Sequence, residues 1–312
     1  MTFLRKFSIA AISLGVAFGA YAAGGQKHAH PPEDGWSFEG AFGEFDKDSL
    51  QRGYQVYTQV CASCHSMKLL SYRNLGQKGG PFYDADYSAN ENPLVKALAA
   101  EATVQKGIDD FGDPVFGPAT PADRFKSPHA NDNAARAANA GALPPDLSVI
   151  TKARHGGASY IYSLLVGYPE DIYDGKLAFP QEKVADHDGS HETDGDHGDE
   201  LHGTLIQPAG QYYNPYFAGD TTAQWDGDPR HTPPGGFLAM SPPLVDGRVE
   251  YIDGTEATVE QMAADVATFL AWAGEPKQVN RKSAGLKVIG FLAIFALLLW
   301  FSYHQIWRDV EH

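Results

Sequence analysis

The segment AGLKVIGFLAIFALLLWFSY, residues 284–303, restricts the fold more than any other stretch of the chain. Inside a lipid core every backbone N–H and C=O must find its partner within the segment, and a helix meets that requirement alone. Twenty helical residues at about 1.5 Å each reach roughly 30 Å, the thickness of a bilayer core. Lys287 near one edge can extend its ammonium toward the head groups, and Trp300, Tyr303 and Trp307 suit the opposite interface. The competing reading, a buried helix of a soluble protein, is weaker because no polar residues mark a solvent-facing side. A transmembrane anchor over 284–303 and a tail over 304–312 are therefore predicted.

The N-terminus carries a second apolar run with different flanks. Arg5 and Lys6 precede Ile9 to Ala20, and Ala20-Tyr21-Ala22 has the small-x-small form of a cleavage site. Residues 1–22 read as a secretory signal peptide, with the mature chain starting at Ala23; an uncleaved anchor helix is the weaker alternative. Topology contains a conflict. Lys277, Arg281, Lys282 and Lys287 precede the C-terminal helix and only Arg308 follows it, which by the positive-inside rule would hold the main body in the cytoplasm. The signal acts first, and long domains translocate largely regardless of charge. Residues 23–283 are thus expected in the periplasm of a bacterial inner-membrane protein, with a single crossing and the C-terminus in the cytoplasm. The basic flank is left to meet anionic lipid or a membrane partner.

The formal charge of −15 becomes two units more negative when Arg5 and Lys6 leave with the signal. Such an acidic exported body argues against nucleic acid and favours a basic partner, although solubility alone also accounts for it.

The chain has two cysteines, Cys61 and Cys64, and His65 follows them directly in QVCASCHSM. In an oxidising compartment the pair could be a disulfide or a redox dithiol. C-x-x-C-H is, however, the attachment signature of c-type haem: two thiols add to the vinyl groups and the histidine is placed to ligate iron. Zinc would want a second ligand pair, which the sequence lacks. Flanking helices agree with haem. Asp48 is a candidate cap for SLQRGYQVYTQV, where Leu50, Gly53, Tyr54 and Tyr57 fall at helical spacing, and Gly53 permits a second helix to come close. Near the end of the exported body, TVEQMAADVATFLAWAG opens with Thr258 and Gln261 at capping-box spacing and stops at Gly274 before Pro276. Met262, Val266, Phe269 and Leu270 form its apolar stripe, ready to pack on the first helix.

With His65 on one side of a haem, the opposite axial position decides the chemistry. Met1 departs with the signal, Met67 is too near His65 to cross the haem plane, and Met262 belongs to the stripe. Met240 remains, in PPGGFLAMSPPL, where Pro233, Pro234, Pro242 and Pro243 stiffen a segment without helical or strand pattern. A thioether there would raise the potential relative to two histidines. His155 and His231 are rival ligands, and an open position would suit a peroxidase.

These segments together resemble the cytochrome c1 family, the haem-bearing subunit of quinol–cytochrome c oxidoreductase (the bc1 complex), in its bacterial form. The resemblance rests on CASCHSM at 61–67, AARAANAGALPPDLS at 134–148, ARHGGASYIYSLLVGY at 153–168, NPYF at 214–217, AMSPPL at 239–244, DGT-x-AT at 253–258 and the C-terminal anchor. It implies a mainly α, c-type cytochrome fold with long loops and insertions and one C-terminal transmembrane helix. It implies one haem c joined by two thioethers to Cys61 and Cys64, with His65 and Met240 as axial ligands and Arg154 and Tyr160 at the propionates. A guanidinium is a suitable fork for such a carboxylate. His155 then becomes structural. The implied function is relay of single electrons from a Rieske iron–sulfur protein to a cytochrome c, steered by the acidic surface. A cytochrome b subunit would hold the quinol chemistry and pack on the anchor, within a dimeric complex, so no independent substrate turnover is expected. A free membrane-anchored carrier or an oxidase subunit shares the haem motif and the anchor.

Two features depart from the family pattern. Residues 170–203 form an acidic insertion with His187, His191, His197 and His202, in which a solvated loop is favoured over a cation site. A second insertion runs from about Ala218 to Pro234. No cysteine exists beyond the haem pair, so any disulfide of the relatives is absent.

Overall fold

The computed structural model describes residues 25–170, 172, 174–179 and 202–309. The predicted signal peptide, His187, His191, His197 and residues 310–312 lie outside the described residues. The fold is mainly α, as expected. Seven α-helices occur among the described residues: α1 (Lys47–Gln59), α2 (Pro93–Ala100), α3 (Asp132–Ala138), α4 (Ile150–Ala153), α5 (Gly157–Val166), α6 (Val259–Gly274) and α7 (Gln278–Trp307). Three antiparallel two-stranded ribbons accompany them: β1 (Thr103–Ile108) with β2 (Pro114–Pro118), β3 (Lys176–Phe179) with β4 (Gly203–Ile206), and β5 (Tyr212–Asn214) with β6 (Gly236–Leu238).

The core forms where α1 and α5 pack on α6. Leu50, Gly53, Tyr54 and Tyr57 of α1 are buried, together with Val56, and they face Met262, Val266, Phe269 and Leu270 of α6. Gly53 is the crossing point. A Cβ there would stand 2.1 Å from the Asp265 carbonyl oxygen and 2.7 Å from the Phe269 Cβ, so any side chain would force the helices apart. Aromatic rings fill the contact: Phe269 lies edge-on to Tyr54 at 5.8 Å and stacks with Trp272 at 5.6 Å.

An ion cluster closes the rim of this crossing. Arg52 reaches Asp265 at 2.8 Å and Asp253 at 2.8 Å. Asp265, whose side chain is 1% exposed, also accepts from the Gln261 amide at 2.9 Å. A buried carboxylate survives only with such donors around it.

Helix termini correct two expectations. Asp46, not Asp48, caps α1, accepting from the Ser49 N–H at 2.7 Å; Asp48 sits inside the first turn, where its charge suits the helix dipole. Thr258 does cap α6, accepting from the Gln261 N–H at 3.1 Å. The return half of the capping box is not made, because the Gln261 side chain is drawn forward to Asp265.

α7 runs continuously through the predicted span and extends it at both ends. Its 30 residues include a window of mean hydropathy 2.2, with none of that window buried against the rest of the protein. By length and composition it can cross a membrane. Its first turn is fastened to the soluble body. Arg281 pairs with Glu275 at 2.5 Å, Glu275 pairs with Lys152 at 2.7 Å, and the Lys282 ammonium donates to the carbonyls of Phe38 and Gly43 at 2.5 and 3.3 Å. Two of the four cations that conflicted with the topology are therefore engaged in seating the body on the helix.

The insertions also acquire structure. Residues 176–179 of the 170–203 segment form β3, paired with β4, which starts at the segment's last residue, in register from Lys176↔Ile206 to Phe179↔Gly203. Leu177, Leu205, Tyr213 and Trp225 form a second, smaller core, with Trp225 supplied by the 218–234 insertion. The segment around Met240 was expected to lack strand pattern, yet residues 236–238 form β6, since Tyr212–Asn214 offers the backbone a partner that sequence periodicity does not reveal.

Candidate functional site

Cys61 begins one turn of 3₁₀ helix directly after α1. The N–H groups of Cys64 and His65 both donate to the Cys61 carbonyl, at 3.1 and 2.9 Å. This single turn brings residues three and four apart to the same side, so both thiols and the imidazole belong to one surface. The thiols are unpaired, Cys61 half-buried and Cys64 exposed. Burial, then the neighbouring Cys64, pushes the Cys61 thiol up to about 12. A redox dithiol needs the opposite, a thiol that ionises readily. Among the described residues no group of three or more His, Cys, Asp or Glu side chains is gathered as a metal cluster.

The His65 ring has a defined tautomer. Its Nδ1 lies 2.8 Å from the Pro145 carbonyl oxygen, and a carbonyl only accepts, so Nδ1 must carry the proton. The Nε2 lone pair is then left for a metal, the arrangement usual in metal-ligating histidines. Burial, outweighing the Pro145 hydrogen bond and the Asp146 charge, lowers the pKa of the ring and favours this neutral form.

Residues 145–148 hold the rest of the segment after His65. Asp146 accepts from Ser66 Oγ and from the Lys68 N–H, each at 2.8 Å. The Leu147 N–H donates to the Ser66 carbonyl at 2.8 Å, and Ser148 Oγ accepts from the Leu69 N–H at 3.0 Å. Burial would raise the Asp146 pKa, but donors from Ser148, Lys68 and Ser66 prevail and hold its carboxyl below the ordinary range. Nothing in the spacing of PPDLS assigns these residues a role. The Asx turn in Asp-x-Ser, with the Ser148 N–H on Asp146 at 2.9 Å, was the signal available.

Arg154 and Tyr160 are brought together across a sharp entry to α5. Gly156 and Gly157 have φ of +85° and +57°, conformations that few other residues adopt, and they turn the chain between α4 and α5. Tyr160 is buried and Arg154 exposed. Burial raises the Tyr160 pKa, opposed chiefly by the charge of Arg154, whose guanidinium donates to the Ala153 carbonyl at 3.0 Å. His155 is exposed next to them.

Met240 is half-exposed, whereas Met67 and Met262 have no exposed surface and belong to the main core. Among the described methionines, Met240 alone is not fully buried. Its loop is braced by hydroxyls: Thr221 donates to Pro233 O at 2.6 Å, Tyr213 to Pro234 O at 2.6 Å, and Tyr168, just beyond α5, to Met240 O at 2.9 Å. His231, the rival ligand, instead lies 3.8 Å from Asp228.

Residues 36–310 match the sequence profile of the Cytochrome C1 family. The chain belongs to the cytochrome c1 family. It is 40% identical to a protein of Rhodospirillum rubrum named cytochrome c1, over 312 residues and the full length of both chains. It is 40% identical over 284 residues to the mitochondrial "cytochrome b-c1 complex catalytic subunit" of Candida albicans, covering 91% of this chain and 79% of that one. A Bradyrhizobium diazoefficiens protein named cytochrome b/c1 is 41% identical over 285 residues, 89% of this chain but 36% of that longer one. Membership makes the chain a c-type cytochrome of the bc1 complex, an oxidoreductase, and brings a c-type haem with it. The donor set fits that group: two free thiols one turn apart and a neutral imidazole with its Nε2 lone pair available.

Proposed function

We propose that the chain holds one haem c through thioethers from Cys61 and Cys64, with His65 and Met240 as axial ligands and with Arg154 and Tyr160 on the propionates. The bound haem supplies a one-electron redox centre. The residues around it orient that centre: Pro145 fixes the His65 tautomer, Asp146 and Ser148 tie down the chain that follows, and the Arg154 guanidinium compensates carboxylate charge. The observation that carries this reading is the fixed His65 tautomer beside two unpaired thiols, in a chain of the cytochrome c1 family.

The protein relays single electrons from a Rieske iron–sulfur protein to a cytochrome c, with cytochrome b as its membrane partner in a dimeric complex. The relative named cytochrome b/c1 supports an adjacent cytochrome b. Net acidity supports a basic acceptor, whose association would slow with added salt. Residues 23–283 face the periplasm, α7 anchors them, and the C-terminal tail lies in the cytoplasm.

Met240→Leu tests the site: the reduction potential falls and carbon monoxide binds the ferrous protein, while an unchanged spectrum overturns the ligand assignment. Gentle detergent extraction tests the setting. Migration with a b-type haem and an iron–sulfur subunit is expected; migration alone would indicate a free carrier.

A further inference from the structure

The Met240 segment is held unevenly. Upstream, β5–β6 pairing reaches Leu238, and Thr221 and Tyr213 grip the carbonyls of Pro233 and Pro234. Downstream, Leu244 is buried in the main core. Between them, among the described residues, residues 239–244 make one hydrogen bond, from the Tyr168 hydroxyl to the Met240 carbonyl at 2.9 Å. Pro242 and Pro243 have no N–H to add another. We propose that Tyr168 is a positioning residue that sets how firmly the Met240 sulfur is presented, an inference that rests on Met240 being the axial ligand.

The physical case is one of competition. An iron–thioether bond must hold against motion of the loop that carries the methionine. A hydrogen bond to the methionine's own carbonyl restrains the backbone at the residue where displacement matters most. Tyr168 is itself well placed to be stiff: it is half-buried and it follows α5 by two residues. One helix thus carries Tyr160 near its start and directs Tyr168 from its end, so the proposed propionate contact and the methionine restraint share a support. Loss of one such hydrogen bond should raise the population of displaced loop by roughly two- to tenfold.

The test uses the haem-loaded full chain in detergent. Tyr168→Phe keeps the ring and removes the donor. Expected are retention of the methionine-to-iron charge-transfer band at rest, roughly two- to tenfold tighter binding of imidazole to ferric iron, and a lower reduction potential. Imidazole affinity and potential equal to those of the unsubstituted protein would overturn the proposal. Met240→Leu serves as reference. If it loses the band while Tyr168→Phe changes nothing, Tyr168 has no positioning role; if it keeps the band, the ligand assignment itself fails, and the inference with it. Should Tyr168→Phe not assemble, infrared spectra of the unsubstituted protein carrying carbonyl-labelled methionine give the answer. The Met240 band, identified by its loss in Met240→Leu, should show the downshift of a hydrogen-bonded carbonyl, and a free-carbonyl position would refute the proposal.

Discussion

The two proposed iron ligands stand on unequal foundations. His65 follows α1, which crosses α6 at Gly53 over a core of aromatic and aliphatic side chains, and residues 145–148 clamp the chain beyond it. Met240 follows a three-residue strand, beside a small core of Leu177, Leu205, Tyr213 and Trp225, and depends on hydroxyls donating to backbone carbonyls. Large apolar burial resists opening far more than a few neutral hydrogen bonds do. The histidine side should therefore open only with global unfolding, and the methionine side by local motion.

The largest effect should come from Phe269→Ala. Phe269 is fully buried against Tyr54, Tyr57 and Trp272, and its truncation should lower global stability by about 4 kcal/mol. Denaturant titration should show the His65 side lost at the lowered global midpoint; its survival past that midpoint would break the contrast. Next, Trp225→Ala removes the ring that meets Phe179 at 5.5 Å edge-to-face and donates to the Asp228 carbonyl at 3.0 Å. A local loss of about 3 kcal/mol is expected. Amide exchange should quicken across 203–238 while α1 and α6 keep their protection, and equal quickening in the helices would show the small core to be part of the large one.

The smallest effect belongs to the clamp. Asp146 has a folded pKa below its unfolded value, so its contribution is present above the ordinary carboxylate range and is lost as pH falls through the folded pKa. Asp146→Asn should cost about 1 kcal/mol near neutrality, where solvent already screens part of the interaction. The cost should vanish in acid, as read from unfolding midpoints across pH. A constant cost would mean that shape rather than charge holds the 145–148 segment.

How far the site was legible depended on whether its chemistry is local. C-x-x-C-H occupies one turn, so spacing alone places its three side chains together. The α1 and α6 stripes follow from period 3.6, and the close approach at Gly53 follows from a missing Cβ. Asp146 and Ser148 stand in the PPDLS segment but are silent in sequence, because their targets, Ser66, Lys68 and Leu69, lie about 80 residues away. Tyr168 was silent for the same reason, its carbonyl target being 72 residues on. The cap of α1 moved from Asp48 to Asp46 because either acid can begin a helix and backbone geometry chooses.

What the sequence by itself determined is what covalent order and periodicity carry: a helix long and apolar enough to cross a membrane, two packing helices, a turn with two thiols and an imidazole, and family membership. Only the tertiary structure decided which imidazole nitrogen is left for a metal and which hydroxyls brace the loop of the methionine that the sequence had already singled out. Those choices depend on contacts between segments distant in the chain, and a carbonyl such as that of Pro145 has no meaning for His65 until folding brings it within 2.8 Å.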